Sequence, residues 1–148
     1  MSEKLEALKP LSVLLVRVVM GGVFMAHGYP KLFQVTEQRV QSFVNMGFPG
    51  WAVYVAGAVE FFGGILLLAG LFTRIAAFLL SGEMAVAFLK VHYPRAASQG
   101  GVLGFLGRGG DEFPLLLCVA AFLVLTLGAG AISLDALIFR KKGKSVSG

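Results

Sequence analysis

Four apolar stretches, at roughly 11–29, 51–72, 75–93 and 113–132, dominate this chain. About 20 apolar residues in a helix cross the ~30 Å hydrocarbon core of a bilayer, so each stretch is long enough to span. Only 14% of the 148 residues are charged and 57% are hydrophobic, with a mean hydropathy of +0.81. A soluble domain carries about 25% charged residues, so this chain cannot cover a water-facing surface. The expected fold is all-α: one polytopic membrane domain over 1–148, a four-helix bundle with two long outer loops, a short inner turn and a basic tail at 139–148.

Three ionisable residues interrupt the apolar runs: Arg17 in the first, Glu60 in the second and Glu83 in the third. A charge at mid-membrane costs at least about 2.5–3.5 kcal/mol, so it faces the bundle interior and takes a partner. Counting ~1.5 Å per residue from the ends of the runs, Arg17, Glu83 and Glu60 lie at roughly 10, 13 and 16 Å above the inner face. That places them at similar depth. Arg17 and Glu60 lie on neighbouring helices, so Arg17 is expected to pair with Glu60, leaving Glu83, with no second cation at its depth, as a neutral acid. His27 stands above this cluster. A purely structural alternative is an ion pair that does no more than fix helix register.

A second group of polar residues falls at the outer rim: Lys31, Lys90, His92, Asp111 and Glu112, with His27 beside them. His27 and Lys31 would share a face if the first helix ran on through Pro30. The group reads as a headgroup-binding or rim-anchoring site. Two histidines without a spaced set of further ligands make no metal signature, and no metal is expected. Cys118 is the single cysteine, so no disulfide and no C-x-x-C relay chemistry is available within the chain. It reads as a small apolar residue of the fourth run. Gly63–Gly64 lies within an apolar helix, with no nucleotide-binding pattern around it.

Loops and charges orient the chain. With four spans both termini share one side, which then holds Lys4, Lys9, Arg74 and the tail residues Arg140, Lys141, Lys142 and Lys144. The other side holds Lys31, Arg39, Arg95 and Arg108, with Lys90 at the membrane edge. The positive-inside rule puts both termini in the cytoplasm, and Tyr29, Trp51, Tyr54 and Tyr93 form an outer belt. The net charge of +5 is concentrated in the tail and reads as a topology signal against anionic lipid, with no nucleic-acid partner. Pro30 and Pro94 are expected to stop helices, and Pro49 and Pro114 to start them. The matching His27…Pro30 and His92…Pro94, with Phe48–Pro49 and Phe113–Pro114, hint at two similar hairpins. The first outer loop carries an apolar set, Leu32, Phe33, Val35, Val40, Phe43, Val44 and Met46, suited to a short interfacial helix. Small residues (Gly21, Gly22, Ala56, Gly57, Gly63, Gly64, Ser81, Gly82) give the helices a close approach.

Several motifs together resemble the DoxX family. They are Leu14–Leu15, Arg17, Gly21, Phe24, His27–Gly28 and Lys31–Phe33, followed by Gly47–Phe48–Pro49, Glu60 and Gly63–Gly64. Gly70–Leu71–Phe72–Thr73–Arg74, His92, Glu112–Phe113–Pro114–Leu115 and Ser133–Leu134–Asp135 complete the set. The resemblance covers roughly 10–138 and implies a four-helix prokaryotic inner-membrane protein. The family is named after a subunit of an archaeal thiosulfate:quinone oxidoreductase, and other members are linked to redox-stress or thiol-homeostasis complexes. Ala129 stands where the family often has proline in a G-P-G turn. By analogy the chain is expected to be a subunit or helper of a quinone-linked redox system, not a stand-alone enzyme. The cluster of Arg17, Glu60, Glu83 and His27 is then expected to receive a quinone head or to pass protons, and a redox protein is the expected partner. The competing expectations are a non-enzymatic scaffold recruiting a partner through its outer loops and, third, a small permeation protein.

Overall fold

The computed structural model describes residues 2–98 and 112–139. Arg108, Asp111 and the tail from Arg140, together with most of the third loop, lie outside the described residues. The regular elements among the described residues are all helices, with no strand. α1 spans Ser2–Leu32, α2 Glu37–Asn45, α3 Ala52–Ala69 and α4 Thr73–Ala87. α4 continues through a π-turn, Phe88–His92, into α5 at Tyr93–Ser98; α6 is Phe113–Leu127 and α7 is Leu134–Phe139. Three helical stretches are long and apolar enough to cross a membrane: Glu6–Leu32, Ala52–Ala69 and Thr73–Arg95.

Two expected helix ends move. Pro30 and Pro94 both lie inside continuous helix, not at its end. In α1 the ring removes one ladder bond, a cost of about 3 kcal/mol in isolation. The last turn is held nevertheless, because Gly28 and Gly57 seat it directly against α3. Pro94 follows the π-turn, whose wider ladder relieves the clash between a proline ring and the carbonyl four residues earlier. The fourth run shortens. α6 stops at Leu127 after 15 residues, about 22 Å, because Gly128 and Gly130 take φ +81° and +76°, angles that no helix continues through.

α1 packs most intimately on α3, and α4 on α6, with the α3–α4 hairpin joining the two pairs. Glycine sets the first contact. A Cβ on Gly21 would lie 2.7 Å from the Gly64 carbonyl oxygen, and one on Gly64 would lie 2.7 Å from that of Gly21. Backbone therefore touches backbone, as small residues allow between membrane helices. Gly63 accepts the Leu80 side chain of α4 in the same way. Gly22 and Gly82, by contrast, face nothing within 4 Å. The core is Met20, Phe24, Leu67, Leu80, Met84, Ala121 and Val124. Outward, Leu15, Val19, Phe62, Phe78, Leu116 and Phe122 are exposed, an apolar exterior suited to lipid. Ser81 and Cys118 join α4 to α6 reciprocally: the hydroxyl donates to the Cys118 carbonyl (3.2 Å) and the thiol to the Ser81 carbonyl (3.4 Å).

The C-terminal end of the described chain clasps the α3–α4 turn. Phe72 stands at φ +46° just before α4 and supplies no side-chain cap. The cap comes from α7, where the Asp135 carboxylate accepts from the backbone N–H of Phe72 (2.8 Å) and of Thr73 (3.0 Å). The Asp135 N–H donates in return to the Gly70 carbonyl (2.8 Å). A carboxylate at a helix N-terminus both satisfies orphan donors and complements the helix dipole.

Candidate functional site

The three buried charges separate into two places. Arg17 is 1% exposed and hydrogen-bonds to carbonyls, and the carboxylate that attracts it is Asp135, not Glu60. Its Nε donates to the Leu67 carbonyl (2.9 Å), Nη2 to that of Leu68 (3.4 Å), and Nη1 to those of Ile132 (3.0 Å) and Ala129. These groups end α3 and follow the broken end of α6, where the last carbonyls of a helix have no intrahelical donors. Non-helical backbone at membrane depth is tolerated only where protein satisfies it, and one guanidinium does so for both segments. Gly70 leaves the room: a Cβ there would meet Nη2 at 2.5 Å.

The expected Arg17–Glu60 pair is therefore absent, and Glu60 pairs with Lys31. The Lys31 ammonium reaches both carboxylate oxygens, at 2.7 and 2.6 Å, and the Glu60 side chain is 3% exposed. Register explains the outcome. Gly21 against Gly64 and Gly28 against Gly57 fix which residues of α1 and α3 oppose one another. Gly28 is the residue of α1 that faces Glu60, and a Cβ there would lie 2.9 Å from the Glu60 Cβ. Helical side chains lean toward the helix N-terminus, so Lys31, just beyond Gly28, leans back onto Glu60. Arg17 is roughly 20 Å further along α1 at 1.5 Å per residue. The signal for this was the i, i+4 spacing of His27 and Lys31, which carries weight only if α1 runs through Pro30.

A cavity of about 470 Å³ adjoins this pair, between α2, α3 and α4. Val55, Val59, Leu79 and Val86 line it along the helices, and Phe43, Met46, Phe48 and Trp51 line it from the first loop. Glu60, Lys31, Glu83 and His92 are its polar members. Glu83 is half-buried, and its Oε2 is buried with no hydrogen-bond partner among the described residues. Mostly apolar walls with a few convergent polar groups, at this volume, are the form of a small-molecule site. Lys90 of the π-turn stacks its ammonium 4.8 Å from the Phe48 ring, tying α4 to the first loop.

A second cavity, about 250 Å³, lies on the other side of the ion pair, lined by His27, Phe24, Phe113, Pro114 and Leu117. His27 is exposed and its ring stacks at 5.7 Å on Phe113 of α6. Thus the polar-core and rim groups partly merge: Lys31, Glu60, Glu83, His27 and His92 gather around two cavities, while Arg17 stands apart. Glu112 lies at the start of α6, its Oε2 buried with no hydrogen-bond partner among the described residues, and lines neither cavity. Among the described residues no three His, Cys, Asp or Glu side chains group as metal ligands would.

Comparison with known proteins fits this frame. No solved structure matches the chain. A Haemophilus influenzae protein, named only as uncharacterized, is 36% identical over 93% of this chain and 98% of its own length. The Bacillus subtilis protein named "Putative oxidoreductase CatD" is 33% identical, covering 93% of this chain and 95% of that one. The Escherichia coli "Inner membrane protein YqjF" is 29% identical over 93% of this chain and 99% of its own. The DoxX family model matches residues 12–93, the stretch holding Arg17, Lys31, Glu60 and Glu83. The chain belongs to the DoxX family of membrane proteins.

Proposed function

We propose that this protein is a small membrane subunit or helper of a quinone-linked redox system, and that the larger cavity receives the quinone head. The observation that carries this reading is the unpartnered carboxyl oxygen of Glu83 in an apolar cavity beside a completed ion pair. Lys31 supplies one positive charge and Glu60 takes it with both oxygens. A second carboxylate among apolar walls would be uncompensated, so Glu83 is held as a neutral acid. A neutral acid donates a hydrogen bond, and a quinone head offers a carbonyl to accept it on a flat apolar ring that Phe48 and Trp51 can cover. Quinone, when bound, supplies the electron-accepting chemistry. The chain's residues orient it, exclude water and present a proton at the Glu83 carboxyl. The electron donor is a partner protein, since Cys118 is a lone thiol. The Bacillus subtilis relative, named as an oxidoreductase, supports the redox side of this reading.

Glu83→Gln tests it. An amide fills similar space and still donates, so the variant is expected to fold and to retain quinone through purification in mild detergent. It cannot deliver a proton, so quinone reduction by membranes should fall at least about tenfold, which corresponds to ~1.4 kcal/mol of barrier. Undiminished reduction in that variant would favour the scaffold reading.

In the same proposal α6 and the segment after it complete a fourth crossing, and both termini face the cytoplasm. Exposure of Tyr29, Trp51, Tyr54 and Tyr93 fits an outer aromatic belt. Reporter fusions after Phe48 and at the C-terminus should report outside and inside respectively. A cytoplasmic signal after Phe48 would overturn the orientation.

A further inference from the structure

The Lys31–Glu60 pair is a wall shared by the two cavities. Lys31, Glu60, Met84, Ala87 and His92 line both. On one side of that wall lies Glu83, with its buried, unpartnered oxygen; on the other lies His27, exposed and stacked on Phe113. We propose that the smaller cavity is the proton entry to the larger one, with His27 at its mouth and the Lys31–Glu60 pair as the gate through which water-borne protons reach Glu83.

The inference rests on the reading of the larger cavity as a ligand site but makes a separate claim. An apolar cavity that uses a proton has to draw it from water, and most of the walls around Glu83 are apolar. Val55, Val59, Leu79 and Val86 offer no polar atom to carry one. The ion pair does. An ammonium donates and a carboxylate accepts, so water joined to Lys31 and Glu60 can be ordered across the wall. His92 borders both cavities and adds a ring that can accept on one nitrogen while donating from the other. The imidazole of His27, exposed at the far side, is the group of the smaller cavity best placed to exchange protons with bulk solvent.

Deuterium exchange of the Glu83 carboxyl, followed by infrared spectroscopy on the full chain in lipid nanodiscs, tests the route. The wild type should show a protonated carboxyl band that is lost in Glu83→Gln and shifts promptly in heavy water. His27→Phe keeps an aromatic ring against Phe113 but removes the entry group. Ala87→Leu fills space at the shared wall. Each should slow the exchange of the Glu83 band at least tenfold. Unchanged exchange in both variants, or no band that Glu83→Gln removes, overturns the proposal. Quinone retention by the same variants separates the two claims. Variants that hold quinone but exchange as fast as the wild type sink the proton route alone. A wild type that holds no quinone yet shows the slowed exchange in both variants sinks the quinone reading alone.

Discussion

Lys31→Met and Glu60→Gln, made singly, are expected to collapse the yield of folded protein, and the double variant to recover much of it. Each single change leaves one member of a largely buried pair without its partner; Glu60 is 3% exposed and Lys31 24%. Breaking such a pair from one side costs about 3–5 kcal/mol, because an uncompensated charge stays behind. Removing both charges takes away that penalty along with the attraction. The double variant keeps the Gly28–Gly57 contact, which does not depend on charge. Fluorescence-detected size-exclusion chromatography in mild detergent, combined with thermal unfolding, reads the effect. A double variant as unstable as the two singles added together would show that the residues act independently.

Arg17→Leu should be as damaging, with no second-site rescue at Glu60. The substitution leaves the carbonyls of Leu68, Ala129 and Ile132 without this donor, each a loss of about 1–3 kcal/mol if buried unsatisfied, while that of Leu67 keeps the Gly70 N–H (3.2 Å). Together that is on the order of 3 kcal/mol or more. Lysine restores the charge but is a point donor without the planar fork, so Arg17→Lys should fall between the wild type and leucine. Combining Arg17→Leu with Glu60→Gln should give the sum of the two defects. A double variant more stable than Arg17→Leu alone would mean that the two side chains interact after all.

The contrast between these two sites shows where sequence reasoning reached and where it stopped. The membrane-crossing runs were legible because hydrophobic length is a local property; Ala52–Ala69 falls inside the run read at 51–72. Partnership is not local. Depth counted from the ends of apolar runs brought Arg17 within reach of Glu60, but the register set by Gly21–Gly64 and Gly28–Gly57 offsets them by more than two turns. Lys31 was visible only as a rim residue, because Pro30 reads as a stop in isolation and becomes tolerable only once α3 supports the turn. The fourth run looked continuous to 132, since Gly128 and Gly130 are as apolar as their neighbours and betray themselves only by their dihedral angles. Ala129 departs from the resembled motif without consequence for Arg17, which uses the carbonyl of that residue and not its side chain. The larger cavity drew on Phe43, Met46 and Phe48, whose apolar pattern was readable; that they close over Glu83 was not.

The clasp of Asp135 on the α3–α4 turn bears on how the protein is made. A membrane chain emerges in order, and the α3–α4 hairpin is complete long before residue 135 has been synthesised. Until then the amides of Phe72 and Thr73 lack the acceptor that holds them in the finished molecule. The hairpin therefore waits, inserted but uncapped, for a helix made more than sixty residues later, as the separation of 63 positions between Phe72 and Asp135 requires. The arrival of α7 is in effect a completion signal. A nascent chain truncated within α6 would present an open helix end and a Gly70 carbonyl without its Asp135 donor at the same face of the membrane, a local marker by which unfinished molecules differ from finished ones.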